Sequence, residues 1–167
     1  MSIKKYKQRN KETKKQRNKE IKKQRKEFES HGEKETRQYA AGFVKKLNGG
    51  EILILEGELG SGKSTFVRGL GKALGIKKTM RSPTFTLMNV YKISGKSKIK
   101  NFIHVDAYRL CSVQDLRNIG LFEYIGNKDT VIAIEWGEKL KSLFKKLDLI
   151  LIKFKHGESE SCRLIIN

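Results

Sequence analysis

The stretch Gly57-Glu-Leu59-Gly60-Ser61-Gly62-Lys63-Ser64-Thr65 constrains this chain more than any other. From Gly57 to Ser64 it fits G-x-x-x-x-G-K-[ST], the phosphate-binding loop. The flanks suit it. Glu51 to Glu56 is a short apolar run that reads as a buried strand, and Thr65 to Leu74 places Phe66, Leu70, Ala73 and Leu74 on one helical face. Glycines let successive backbone N–H groups turn inward around an anion, and the helix N-terminus adds its dipole and unpaired donors. Lys63 is then expected to reach the β- and γ-phosphates of a nucleotide, and the Ser64 hydroxyl to ligate Mg²⁺. The plain alternative is a glycine-rich turn that holds nothing, but such a turn has no use for the Lys-Ser pair.

With 167 residues, the chain has room for one domain and an appendage. Charge marks the appendage. Residues 1–30 hold 13 Lys/Arg against 4 Asp/Glu, about half of the net charge of +19. Lys7-Gln-Arg-Asn-Lys-Glu12 recurs from Lys15 to Glu20 and, shortened, from Lys23 to Glu27. Eight residues overshoot two helical turns by about 80°, so no face persists along the repeat. We read residues 1–32 as a basic low-complexity tail, disordered or a solvated helix, with Ser30-His31-Gly32 as the hinge into a domain spanning 33–167. Cys111 and Cys162 make no CxxC pair and no zinc-like cluster with the three histidines, which fits a reducing, cytoplasmic setting. No apolar run approaches a membrane span, and the N-terminus has neither a secretory apolar core nor the acid-poor, serine-rich composition of a transit peptide.

Within the domain, Thr36, Tyr39, Ala40, Phe43, Val44 and Leu47 recur at helical spacing until Asn48-Gly49-Gly50 stops them. Phe85–Ile93 and Ile99–Val105, joined at Ser94-Gly95-Lys96, predict a hairpin. Short helical pieces broken at Gly120 follow, then a buried strand from Thr130 to Ile134. Leu147–Phe154 and Ser161–Ile166 predict a terminal antiparallel hairpin. The fold expected is α/β: a P-loop NTPase-like three-layer sandwich with a mixed parallel and antiparallel sheet.

Phosphate chemistry also needs acids at strand ends. Asp106 and Glu135 both follow apolar strand-like runs, and ligands of open α/β sheets bind at that edge. A helix cap for Asp106 and a surface position for Glu135 are the plainer alternatives. Ser82-Pro83-Thr84-Phe85 offers hydroxyls near a possible γ-phosphate and reads as a nucleotide switch or as an ordinary turn. His104 reads as a packed core histidine ahead of a ligand. Trp136 reads equally as a wall of the site or as core. Arg109 is expected to make a structural ion pair.

Four segments together, Gly57–Thr65, Ser82-Pro-Thr-Phe-Thr-Leu87, His104-Val-Asp-Ala-Tyr-Arg-Leu110 and Ile134-Glu-Trp136, resemble the TsaE (YjeE) family, bacterial P-loop ATPases of tRNA threonylcarbamoyladenosine synthesis. The resemblance covers about residues 33 to 167. It implies that Lys63 and the loop glycines hold ATP, that Ser64 and Glu135 belong to a Mg²⁺ site, that Asp106 serves hydrolysis, and that Thr84 and Trp136 form the switch and the site wall. It further implies Glu33, Thr36 and Gly157 near the nucleotide. The family usually carries threonine at the position of Ser64, a change that keeps the hydroxyl. Partners implied are TsaD and TsaB homologues, with an auxiliary, ATP-dependent role and no transfer of the threonylcarbamoyl group. The tail lies outside the resemblance, and its charge suggests tRNA as a further partner. The competing reading is a small-molecule or nucleotide kinase, against which stands the lack of a long lid insertion after the P-loop helix. A non-enzymatic nucleic-acid module with a relic P-loop is disfavoured by the two strand-end acids.

Overall fold

Apolar residues on both faces of three short runs dictate a sheet covered from two sides. The computed structural model describes residues 27–144, 147–157 and 162–166. Residues 1–26, where the basic tail is expected, and residues 158–161 lie outside the described residues. In chain order the elements are β1 (Glu27–Ser30), α1 (Glu33–Val44), β2 (Ile52–Glu56), α2 (Lys63–Ala73), β3 (Met88–Lys92), β4 (Asn101–Asp106), α3 (Val113–Asn118), β5 (Thr130–Glu135), β6 (Leu149–His156) and β7 (Arg163–Ile166). The sheet runs β1-β7-β6-β2-β5-β4-β3. Its centre, β6-β2-β5-β4, is parallel, and both edges are antiparallel. This is the mixed three-layer sandwich expected.

β2 and β5 are buried along their whole length, as strands of a parallel centre must be. On one face Leu53, Leu55, Val131, Ala133 and Ile152 meet Ala40 and Phe43 of α1 and Phe66, Val67 and Leu70 of α2. On the other, Ile52, Ile54, Ile103, Val105, Ile132 and Ile134 meet Leu116 of α3 and Leu110, Leu121, Leu140 and Phe144 of the loops and 3₁₀ turns around it. Phe66 is the hub of the first face, edge-on to Phe43 and Phe154 at 5.7 and 5.6 Å. Gly69 lets α1 and α2 close: a Cβ there would lie 2.8 Å from the Ala40 methyl and 2.9 Å from the Arg37 Cα.

The boundary at residue 32 needs correction. Residues 27–30, assigned above to the tail, form β1 and pair antiparallel with β7, Phe28 opposite Ile165. The physical reason is alternation. Phe28 and Ser30 point inward, where Phe28 stacks on Tyr39 at 4.3 Å and the buried Ser30 hydroxyl shares a 2.7 Å hydrogen bond with Thr36. Two inward residues were too short a signal beside so much charge. Glu29, His31 and Cys162 also converge, with ligand-type atoms within 4.8 Å of one another, although cysteine spacing predicted no such cluster. Glu29 and His31 are exposed, and the buried Cys162 thiol donates to Glu29 Oε1 at 3.0 Å, which fastens β1 to β7.

The first predicted hairpin starts later than expected. Leu87 N–H donates to the Pro83 carbonyl at 2.6 Å and Leu87 takes φ 62, so Pro83–Leu87 is a turn that leaves Phe85 93% exposed.

Candidate functional site

The register of the parallel strands assembles the site. β2 and β5 pair Leu55 with Glu135, and β4 and β5 pair Asp106 with Glu135. Both acids therefore finish beside the strand that feeds the glycine loop. Gly60 and Gly62 take φ 75 and 98, and Gly62 begins α2 from the left-handed region. A cavity of about 310 Å³ opens there, lined by Glu33, Leu59 to Thr65, Ser82, Thr84, Asp106, Glu135 and Trp136. It thus gathers nearly every residue expected from sequence.

Two expected residues are elsewhere, among the described residues. Thr36 is buried, its hydroxyl engaged with Ser30. Gly157 packs on Cys162, whose Sγ would stand 2.2 Å from any Cβ placed there. Neither lines the cavity.

Glu135 is buried, so the surface alternative for it falls. Its Oε2 accepts from the Ser64 hydroxyl at 2.7 Å, and its Oε1 lies 2.7 Å from His104 Nε2. Asp106 is buried as well, and its Oδ1 accepts from the Tyr108 N–H at 3.1 Å; it shapes the turn after β4 and still faces the cavity. Lys63 Nζ donates to the carbonyls of Gly57 and Glu58 at 2.6 and 2.7 Å and lies 3.8 Å from the centre of the Trp136 ring. Burial pushes this ammonium below the ordinary lysine range, while Glu135, Glu138 and Asp106 pull it back up. Trp136 holds φ 61, a strained setting for a bulky residue of the kind found at functional sites. It is a wall of the site, and Tyr108 meets it edge-on at 5.4 Å. Among the described residues Arg109 makes no ion pair; it donates to the Thr84 carbonyl and so ties the Ser82–Phe85 segment to the end of β4.

Sequence reasoning missed two contacts on the loop. Glu138 Oε1 accepts from the Gly57 N–H at 3.2 Å, and Arg163 Nε donates to the Gly60 carbonyl at 3.1 Å. Both come from elements far along the chain, and no local spacing signals either. His104 was weighed only as core or ligand, and the structure makes it the partner of Glu135.

The donor set fits a magnesium nucleotide. Hard oxygen ligands suit Mg²⁺, and here a hydroxyl and a carboxylate already touch at the start of α2. The glycine loop at the start of α2 and Lys63 supply the phosphate side.

A sheet wound this way, with an anion cradle at the end of a central strand, places the chain among P-loop NTPase-like proteins. The crystal structure of Bacillus subtilus YdiB has the same fold, with a TM-score of 0.62 at 23% identity over 86% of this chain and 84% of that one. The chain belongs to the TsaE family: the family described as "Threonylcarbamoyl adenosine biosynthesis protein TsaE" matches residues 30–165. Among its relatives, the tRNA threonylcarbamoyladenosine biosynthesis protein TsaE of Borreliella burgdorferi is 36% identical over 129 residues, 77% of this chain and 89% of the relative. That of Aquifex aeolicus is 40% identical over 111 residues, 65% of this chain and 74% of the relative. Among the described residues no helix is long and apolar enough to cross a membrane.

Proposed function

We propose that this chain is a Mg²⁺-dependent ATPase, slow alone, that sustains threonylcarbamoyladenosine modification of tRNA in the cytoplasm together with TsaD and TsaB homologues. The observation that carries the reading is the contact of Ser64 with Glu135 beside Lys63, at the mouth of the glycine loop. The relatives' names supply the pathway.

Backbone amides of residues 62–65 bind the phosphates, and Lys63 exchanges the carbonyls of Gly57 and Glu58 for β- and γ-phosphate oxygens. Ser64 and Glu135 hold Mg²⁺, which when bound offsets the charge of the β- and γ-phosphates. Asp106 accepts a hydrogen bond from the attacking water and orients it. Trp136 and the Ser82–Phe85 turn, Thr84 included, exclude solvent around the γ-phosphate. Leu59, Phe85 and Tyr108 are exposed around this mouth at 85%, 93% and 67%. Apolar side chains so placed suit a protein partner seated over the nucleotide.

The test is single-turnover ATP hydrolysis with and without TsaD and TsaB homologues, for the wild type, Asp106→Asn and Glu135→Gln. Trp136 is the chain's sole tryptophan, so its fluorescence reports binding separately. We expect partner-stimulated turnover in the wild type, losses of about 10²-fold or more in both variants, and retained ATP binding by Asp106→Asn. Normal hydrolysis by both variants overturns the mechanism. Phosphate delivered to a small-molecule acceptor in place of water identifies a kinase.

A further inference from the structure

We propose that His104 is a positioning residue for Glu135: it holds one carboxylate oxygen so that the other is presented to Ser64 and to a divalent cation. This rests on the cation–nucleotide reading above and names the group that prepares that site.

His104 and Glu135 lie on neighbouring parallel strands, where His104 pairs with Ala133 and Asp106 with Glu135. Residues two apart on a strand share a face, so the imidazole and the carboxylate project from one side of the sheet. On the β5 side the residue opposite His104 is Ala133, whose methyl leaves room for the ring to lean along the strand to Glu135, while Asn89 of β3 stands on its other side. The two side chains are 1% and 5% exposed, and Nε2 to Oε1 is 2.7 Å. The Ser64 hydroxyl already donates to Oε2, so each oxygen has one fixed partner. A carboxylate only accepts, hence Nε2 carries the proton.

The second ring nitrogen sharpens the assignment. His104 Nδ1 is buried and has no hydrogen-bond partner among the described residues. A histidine present only to fill space leaves that atom uncompensated where an apolar side chain has no such atom. What the imidazole alone contributes at this place is the Nε2–H to Glu135. Groups that orient a metal-ligating carboxylate set metal affinity, and their loss typically weakens it by about 10–100-fold. Nucleotide affinity without the cation depends on the backbone cradle and Lys63, which His104 does not touch.

Amide side chains separate these roles. The glutamine amide nitrogen reaches the position of Nε2, and that of asparagine the position of the unpartnered Nδ1. Full-length wild type, His104→Gln and His104→Asn are compared by electron paramagnetic resonance titration of Mn²⁺ in the presence of ADP, and by calorimetric titration of ADP in EDTA. We expect Mn²⁺ affinity about 10-fold weaker or more in His104→Asn, within about 3-fold of wild type in His104→Gln, and metal-free ADP affinity unchanged in both. Undiminished Mn²⁺ affinity in His104→Asn overturns the proposal, as does equal loss in both variants or a parallel fall in metal-free ADP affinity. Wild type that binds ADP but gains no Mn²⁺ site takes down the cation reading itself, and this assignment with it. Should His104→Asn not fold, the tautomer decides: ¹⁵N spectra of the wild type must show the proton on Nε2, and a proton on Nδ1 overturns the proposal.

Discussion

Lys63 sits between two environments that pull in opposite directions. It is buried away from water, which disfavours its charge, and it faces three carboxylates that favour it. The charged form binds phosphate. As pH rises, free protein loses the Lys63 proton at a lower pH than an exposed lysine does, so ATP affinity falls earlier in the alkaline range. Lys63→Ala lowers ATP affinity and flattens that decline, which a pH series of Trp136 fluorescence titrations measures; undiminished affinity in this variant refutes the assignment. The residues of this machinery were legible where they are close in sequence or finish an apolar run: the glycines, Lys63, Ser64, Asp106 and Glu135. Thr36 and Gly157 were assigned to the nucleotide by the resemblance alone; the helical spacing of α1 puts Thr36 on its inner face, where it is buried, and Gly157 packs on Cys162. The bonds of His104, Glu138 and Arg163 depend on strand register and loop closure, which a linear pattern does not encode.

At the scale of elements, the central strands announce themselves by short apolar runs and the P-loop helix by its apolar spacing beside the glycine motif, and the edges do not. β1 is the clearest case. Four residues with two inward side chains cannot be told from the charged tail before them, yet Phe28 and Ser30 are fixed by Tyr39 and Thr36. This changes where the tail can be cut. Deleting residues 1–26 should leave the thermal midpoint unchanged. Deleting residues 1–30 removes the packing of Phe28 and bares the edge of β7, at a cost of about 1–3 kcal/mol, hence several degrees. Equal midpoints, by calorimetry, place β1 outside the cooperative unit. The Ser82–Leu87 segment shows the converse: its residues suit a strand, and a single positive φ at Leu87 makes it a turn.

The whole molecule carries its charge unevenly, with 13 of its 37 Lys/Arg within residues 1–26. Counterion release makes binding by such a segment depend steeply on salt and little on sequence. We expect deletion of residues 1–26 to weaken tRNA binding and to flatten its salt dependence, by roughly 0.7–0.9 log units per phosphate contact for each log unit of salt, while ATP binding persists. Filter binding at two salt concentrations checks this, and equal affinity with and without the tail refutes it. The edge pairing of β1 with β7 has a consequence in time. Among the described strands, the ribosome makes β1 first and its only neighbour last. At roughly 5–20 residues per second, β1 waits on the order of ten seconds with its Phe28 uncovered by a strand partner. The glycine loop, Asp106 and Glu135 are all synthesised before that wait ends, whereas Arg163, which ties the loop at Gly60, arrives only with β7, so the closing of the sheet also completes the loop's tether.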